Sequence, residues 1–293
     1  MEKDINPINR LSFRDRMKSY AKHPGSLILL LLVLLAAVAT VIILFFLVGY
    51  ILVRGIPYLK PSLFSFTYNS ENVSMMPAII NTITMVAVSL LFSVPFGVGA
   101  AIYLVEYAKK GNKLVELVRL TAETLTGIPS IIYGLFGMLF FNIALHFRYS
   151  MLSGALTLAI MVLPVIMRTT EEALLCVPVS YREGSFGLGA GKLRTIFKIV
   201  LPAAIPGILS GIILAIGRIV GETAALIYTA GTVTGIAGLM DSGRTLAIHM
   251  YVLSNEGLHS NEANATGVVL LIIVLLINGL SSLVAKKLEA PRK

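Results

Sequence analysis

An all-helical, polytopic membrane protein with six transmembrane helices is the fold class that this sequence predicts. Three observations predict it. Of the 293 residues, 56% are hydrophobic and 13% are charged, whereas an average soluble domain is about 25% charged. Six apolar stretches reach the roughly 20 residues that a helix needs to cross a bilayer. The basic residues gather between those stretches, mostly on one side of the resulting layout.

The elements follow in order. A basic tail, 1–26, leads into a first span at 27–53 that contains no charged residue. That run is too long for a signal-peptide core and no Ala-x-Ala-like site follows it, so no cleavable leader is expected. A loop at 54–76 carries Pro57, Pro61 and several aromatic residues. The second span covers 77–105, with a kink expected at Pro95. The third covers 121–146, and Gly127 and Pro129 interrupt it just after Glu123. A broken helix or a late start is expected there, its freed backbone groups buried in protein. The fourth span, 151–177, contains Pro164 and ends near Cys176, a lone cysteine expected to be a small buried apolar residue. A polar loop at 178–200 separates it from the fifth span, 201–230. A second long loop, 231–263, is rich in Gly, Ser, Thr and Asn and holds an apolar patch at Thr245–Leu253. The sixth span, 264–285, precedes a short basic tail, 286–293.

Lysine and arginine set the orientation. The net charge of +9 does not form one basic face, so nucleic-acid binding is not indicated. Eighteen of the 24 basic residues fall in the two tails and the 106–120 and 178–200 loops, all on one side of a six-span layout. That side is the cytoplasm by the positive-inside rule. The opposite side has Arg54, Lys60, Arg148 and Arg244 against Glu71, Asp241, Glu256 and Glu262, so it is not an electrostatic funnel for anions.

Several chemistries are excluded. Gly187–Lys192 has a phosphate-loop look, but Phe186 stands where the first glycine is needed and Leu193 replaces the Ser/Thr magnesium ligand. One cysteine permits no internal disulfide and no cysteine-cluster metal site. His23, His146, His249 and His259 are scattered along the chain and are expected to be solvated or interfacial. No catalytic residue and no metal ligand is indicated.

Five charged residues inside or beside the apolar segments do point to a function, because ionisable groups are expensive in hydrocarbon. At about 100° per residue, Gly207, Gly211, Ala215, Arg218 and Glu222 share one face of the fifth span, within about 80° of arc. Small residues on that face admit a neighbouring helix, and Arg218 and Glu222 stand at i, i+4, where they can pair. Arg218 lies roughly 24 Å along its span at ~1.5 Å per residue, too deep to reach the cytoplasm. Its guanidinium suits bidentate contact with an oxyanion. Arg168 has Glu171 and Glu172 at i+3 and i+4 near a span end, where snorkelling is the competing reading. Structural salt bridges at helix interfaces are the alternative for both groups.

The 178–200 loop reads as two short helices broken at Gly187–Gly191, with Pro202 opening the fifth span. Phe186, Leu193, Ile196, Phe197 and Val200 set apolar contacts on a basic surface. That surface suits a protein partner; an amphipathic loop lying at the headgroups is the competing reading.

The spacing Glu183-x5-Gly189-x9-Ile199-x-Leu201-Pro202 resembles the EAA loop of ABC importer permeases, with Gly184 and Ser185 in place of the usual Ala-Ala. The run Arg168-Thr169-Thr170-Glu171-Glu172-Ala173-Leu174 resembles the PstA family of phosphate-transport permease subunits. So do Val177-Pro178-x-Ser180-x-Arg182-Glu183 and Arg218-x-x-Gly221-Glu222-Thr223. Gly127-Ile128-Pro129-Ser130, Tyr133–Gly137 and Thr245-Leu246-Ala247-x-His249-x-Tyr251 fit the same family. The resemblance spans about residues 75–285.

It implies a type I ABC importer permease fold over 77–285 and passage of inorganic phosphate by way of Arg218, Glu222, Arg168 and Glu171. It also implies a coupling loop carried by Glu183, Gly184, Ser185, Gly189, Ile199, Leu201 and Pro202. The implied partners are a PstC-like permease subunit, a PstB-like ATPase dimer, a PstS-like extracytoplasmic binding protein and the lipid bilayer. ATP and Mg²⁺ would be bound by the ATPase and no cofactor by this chain. The alternatives are a molybdate or sulfate permease, a PstC-like sister subunit, an ion-coupled secondary transporter, and a membrane receptor or signalling subunit without transport.

Overall fold

A computed structural model describes residues 24–109 and 111–289. The basic residues Lys3, Arg10, Arg14, Arg16, Lys18, Lys22, Lys110, Arg292 and Lys293, and His23, which enter the sequence arguments, lie outside the described residues. The described residues form helices joined by loops, with no strand. Five helices are long and apolar enough to cross a membrane, and six if one bent pair forms a single span.

The first unit ends at Val53. It holds nearly all of α1 (Pro24–Gly55), which is apolar on every face and largely exposed over residues 25–53. A helix of that kind is stable only where lipid or another protein covers it.

The second unit, Arg54–Lys293, is built around α5 (Met151–Leu175). Leu158, Met161, Val162 and Ile166 of α5 are completely buried. Helix α2 (Met76–Tyr107) and helix α7 (Lys192–Gly221) pack on it. Apolar exclusion from lipid drives little association between helices, so close approach through small residues must supply the packing. A Cβ on Gly97 would meet Ile166, one on Gly207 would meet Ala173, and one on Gly211 would collide with Thr169. The small-residue face of the fifth span thus lies against the fourth.

Pro95 and Pro164 sit inside helices that continue past them. The third segment is broken, as Gly127 and Pro129 predict, but it begins earlier than residue 121. An amphipathic helix α3 (Lys113–Thr126) turns through 104° into α4 (Ser130–Ala144). Asn112 caps the start of α3 by accepting from the Leu114 N–H. The Tyr133 hydroxyl donates to the Leu125 carbonyl at 2.8 Å and closes the corner from the other side.

Three expectations about helix ends are corrected. The fifth helix does not open at Pro202. It starts at Lys192, and its second turn, Ile196–Val200, is widened to π geometry. That turn absorbs the missing N–H of Pro202, so the second short loop helix is the start of the span itself. The same span does not reach residue 230. It ends at Gly221, Glu222 is extended (φ −73, ψ 130), and a short α8 (Ala224–Thr229) follows. The loop patch Thr245–Leu253 is a helix, α9 (Leu246–Glu256), with Leu246, Ile248 and Leu253 buried. The chain closes with α10 (Ser260–Glu289). Cys176, expected to be buried, is exposed just beyond α5, next to the exposed Leu175 and between the buried Leu174 and Val177.

Candidate functional site

The membrane charges separate into two groups. The first is a ladder between α3 and α5. Arg119 pairs with Glu171 at 2.6 Å, and Arg168 pairs with Glu123 at 3.2 Å and with Glu172 at 3.4 Å. The i, i+4 pair expected for Arg168 therefore forms with Glu172, whereas Glu171 turns to another helix. Glu171 and Glu172 flank Arg168 at i+3 and i+4, and Glu171 is the one that lies within reach of Arg119 on α3. Glu171 is the more enclosed, with 12% of its side chain exposed. It borders a cleft of about 620 Å³ whose lining also includes Lys109, Glu116 and Arg119. Arg119 and Glu123 carry half the ladder, and sequence reasoning missed both. They fall on α3, whose face toward α5 depended on the corner at Gly127–Pro129.

The second group is Arg218 and Glu222, and the pairing expected there is absent. Glu222 lies beyond the helix, and its Oε1 accepts from the Ala225 N–H at 3.1 Å, capping α8. Arg218 is half-buried and takes part in no ion pair among the described residues. The i, i+4 relation required a helix continuous through residue 222, and the helix stops one residue short. The result is a guanidinium near the end of a membrane helix without a carboxylate partner among the described residues.

The loop presents a different surface. Helix α6 (Val179–Gly187) carries Glu183 and Gly184 on its exposed side. Ser185 faces inward and shares a 2.8 Å hydroxyl hydrogen bond with Thr195. Gly189 has φ +80, a conformation that glycine adopts without strain, and it turns the chain between α6 and α7. Phe186, Leu188, Leu193 and Phe197 are exposed, Leu188 by 91%. Ile199 and Leu201 are half-buried, Pro202 is exposed, and all three lie in the first turns of α7. Exposed apolar side chains around a fixed turn form a surface suited to another protein.

His249 is a further correction: it is buried completely rather than solvated, and neither ring nitrogen has a hydrogen-bond partner among the described residues. The Tyr68 ring meets it edge-on and receives the Arg244 guanidinium at 4.7 Å. Burial, and then the charge of Arg244, push the imidazole pKa down to about 3, with the Val73 backbone opposing the shift. The unfolded chain holds a proton on this group below its ordinary value of 6.5 and the folded chain does not. Stability therefore falls as pH drops from 6.5 toward 3, by at most about 1.4 kcal/mol per pH unit. Thermal unfolding of the detergent-solubilised chain at pH 7.5 and 5 is expected to show that loss, and His249→Gln to flatten it. An equal slope in the variant would assign the effect to other groups.

Among the described residues no three His, Cys, Asp or Glu side chains gather as a metal site requires.

Comparison with known proteins places this geometry. Residues 93–292 match the family model described as binding-protein-dependent transport system inner membrane component. The probable ABC transporter permease protein YqgI of Bacillus subtilis is 32% identical over 272 residues, covering 83% of this chain and 90% of that protein. The phosphate transport system permease protein PstA of Haemophilus influenzae is 33% identical over 233 residues, covering 78% and 82%. Among solved structures, a bacterial alginate ABC transporter in complex with an alginate pentasaccharide-bound periplasmic protein aligns with TM-score 0.62. It is 16% identical and covers 92% of this chain and 98% of that one. The inward-facing MetNI methionine ABC transporter aligns with TM-score 0.59 at 22% identity, covering 72% and 93%. The fold is thus that of ABC importer permeases. By extent and identity of match, the chain belongs to the family of binding-protein-dependent transport system inner membrane components.

Proposed function

We propose that this chain is the permease subunit of an ATP-driven importer of inorganic phosphate, with Arg218 contacting the anion in the membrane. The observation that carries the mechanism is the guanidinium of Arg218, half-buried in a span with no carboxylate partner among the described residues. A charge held in that state needs a counter-charge, and a passing oxyanion supplies one through the planar fork. Similarity to PstA supports phosphate as the anion. Glu171 and Arg168 act at the other end of the route. Their ladder joins α3 to α5 beside the cleft, and its pairs must loosen if an anion is to pass. Glu222 fixes the start of α8 through its hydrogen bond to the Ala225 N–H.

The exposed face of α6 with Gly189 and the head of α7 is the docking surface for a PstB-like ATPase dimer that binds ATP and Mg²⁺. This chain hydrolyses nothing. A PstC-like subunit completes the pathway, and a PstS-like protein delivers phosphate to the outer loops. Both termini are cytoplasmic.

Vesicles containing the four-component assembly are expected to take up phosphate with ATP, with block by vanadate and insensitivity to uncouplers. Uptake that collapses with an uncoupler would favour an ion-coupled carrier, and preference for sulfate or molybdate would replace phosphate. Orientation is tested with a membrane-impermeant thiol reagent on intact cells in a Cys176→Ser background. Lys192→Cys is expected to stay unlabelled and Asn261→Cys to react; the reverse pattern would invert the topology.

A further inference from the structure

Arg182 on α6 makes more contacts across elements than any feature of the transport reading requires. Its Nε and Nη2 donate to Glu106 Oε1 at 3.0 and 2.8 Å. Its Nη1 donates to the Val177 carbonyl at 2.8 Å and its Nη2 to the Leu174 carbonyl at 2.9 Å. The side chains of Arg182 and Glu106 are only 16% and 9% exposed. Leu174 and Val177 lie at and just beyond the C-terminal end of α5, where carbonyls lose their full helical donors; the Leu174 carbonyl also accepts from the Val177 N–H at 3.3 Å. Glu106 lies in the π-widened last turn of α2, Tyr103–Tyr107. In the same turn, the ring of Tyr107 receives Lys192 Nζ at 4.7 Å. One guanidinium thus binds the loop helix to the ends of two spans, and a second cation grips the same turn from the start of α7.

We infer that the Arg182–Glu106 pair is the joint through which displacement of the 178–200 loop reaches the second and fourth spans. The inference rests on the reading of that loop as the ATPase docking surface. Helix α6 has nine residues. Pro178 separates it from α5 and Gly189, at φ +80, from α7. Each connection is a single turn about which a force on α6 would rotate it, and the Ser185–Thr195 hydrogen bond ties it to the head of α7 but not to the second span. The enclosed ion pair resists that rotation, since charged hydrogen bonds shielded from water are short and strong. Arginine is required because an ammonium cannot address a carboxylate and two carbonyls in one plane. Arg182 and Glu106 are therefore positioning residues, separate from the exposed docking face.

The test uses the assembled transporter in vesicles, with phosphate uptake and ATP hydrolysis measured together. Glu106→Gln keeps size and an acceptor oxygen but removes the charge; Arg182→Lys keeps the charge but removes the fork. Both are expected to retain the ATPase on purification and to hydrolyse at least roughly fivefold more ATP per phosphate imported, the lower range of site-to-site coupling. Glu106→Asp should fall between them and wild type. In parallel, amide hydrogen exchange in α6 of the assembled complex is expected to quicken in Glu106→Gln. A Glu106→Gln assembly with wild-type ratio and wild-type exchange would overturn the joint. If wild-type vesicles hydrolyse ATP without importing phosphate, the phosphate reading fails on its own. Exchange in α6 then decides the joint, and unchanged protection in both variants overturns it.

Discussion

Arg218→Lys is expected to assemble with its partners and to lose most phosphate uptake. The substitution keeps a positive charge at a half-buried position in α7, so the electrostatic cost of the site is nearly unchanged. What it removes is the planar pair of donors that meets two oxygens at once. A hydrogen bond to a charged group contributes about 1.5–3 kcal/mol, so loss of one such contact in the rate-limiting state is expected to slow uptake roughly tenfold to a hundredfold. Glu222 separates this from a structural effect. Its carboxylate caps the Ala225 N–H and does not pair with Arg218, so Glu222→Gln retains an acceptor and is expected to act mildly. The double variant Arg218→Gln, Glu222→Gln is expected to assemble and not transport. Near wild-type uptake by the double variant would remove Arg218 and Glu222 from the transport route.

Gly189→Val is expected to leave a subunit that reaches the membrane but no longer links ATP hydrolysis to uptake. At φ +80 a β-branched residue is strained, by about 1–2 kcal/mol for an L-residue in this region. No atom lies within 4 Å of the position its Cβ would take, so the effect is torsional. The turn changes course and carries α6 away from its place, while the spans keep their packing. Gly184→Ala is the control. Gly184 is inside α6 at ordinary helical φ with open space around it, so alanine there is expected to be neutral for coupling. Ligand-stimulated ATPase activity at the wild-type level in a reconstituted Gly189→Val complex would end the assignment of this loop to coupling. Glu183→Lys probes the same face through charge, and an uncoupled phenotype is expected there too.

These two residues also mark the limit between sequence and structure. The place of Gly189 was legible, because glycine at the centre of a short polar loop between two apolar runs announces a turn. The spans were legible for a similar reason. Hydrocarbon requires long apolar helices with satisfied backbones, and that demand is written in composition over windows of about 20 residues. The break at Gly127–Pro129 followed from the missing N–H of proline. The small-residue face of the fifth span followed from periodicity, and Gly207 and Gly211 do meet the fourth span.

The partners of the charges were not legible. Pairing within one helix can be read from i, i+4 spacing only while the helix continues, and α7 ends at Gly221. In retrospect, glycine followed by a carboxylate three residues before Ala225 is a stop-and-cap pattern, since a Glu side chain can serve the exposed N–H groups of a new helix. Arg168, Glu171 and Arg182 found partners 45, 52 and 76 positions away, at Glu123, Arg119 and Glu106. No local period encodes such distances. His249 was misread for the same reason, as one of four scattered histidines, since its surroundings come from Tyr68 and Arg244. By itself the sequence determined which segments enter the membrane and where the chain turns, because those follow from each segment's own contact with hydrocarbon and water. Only the tertiary structure decided which charges are paired and that Arg218 has no carboxylate partner among the described residues, because a salt bridge depends on distances between helices that packing alone sets.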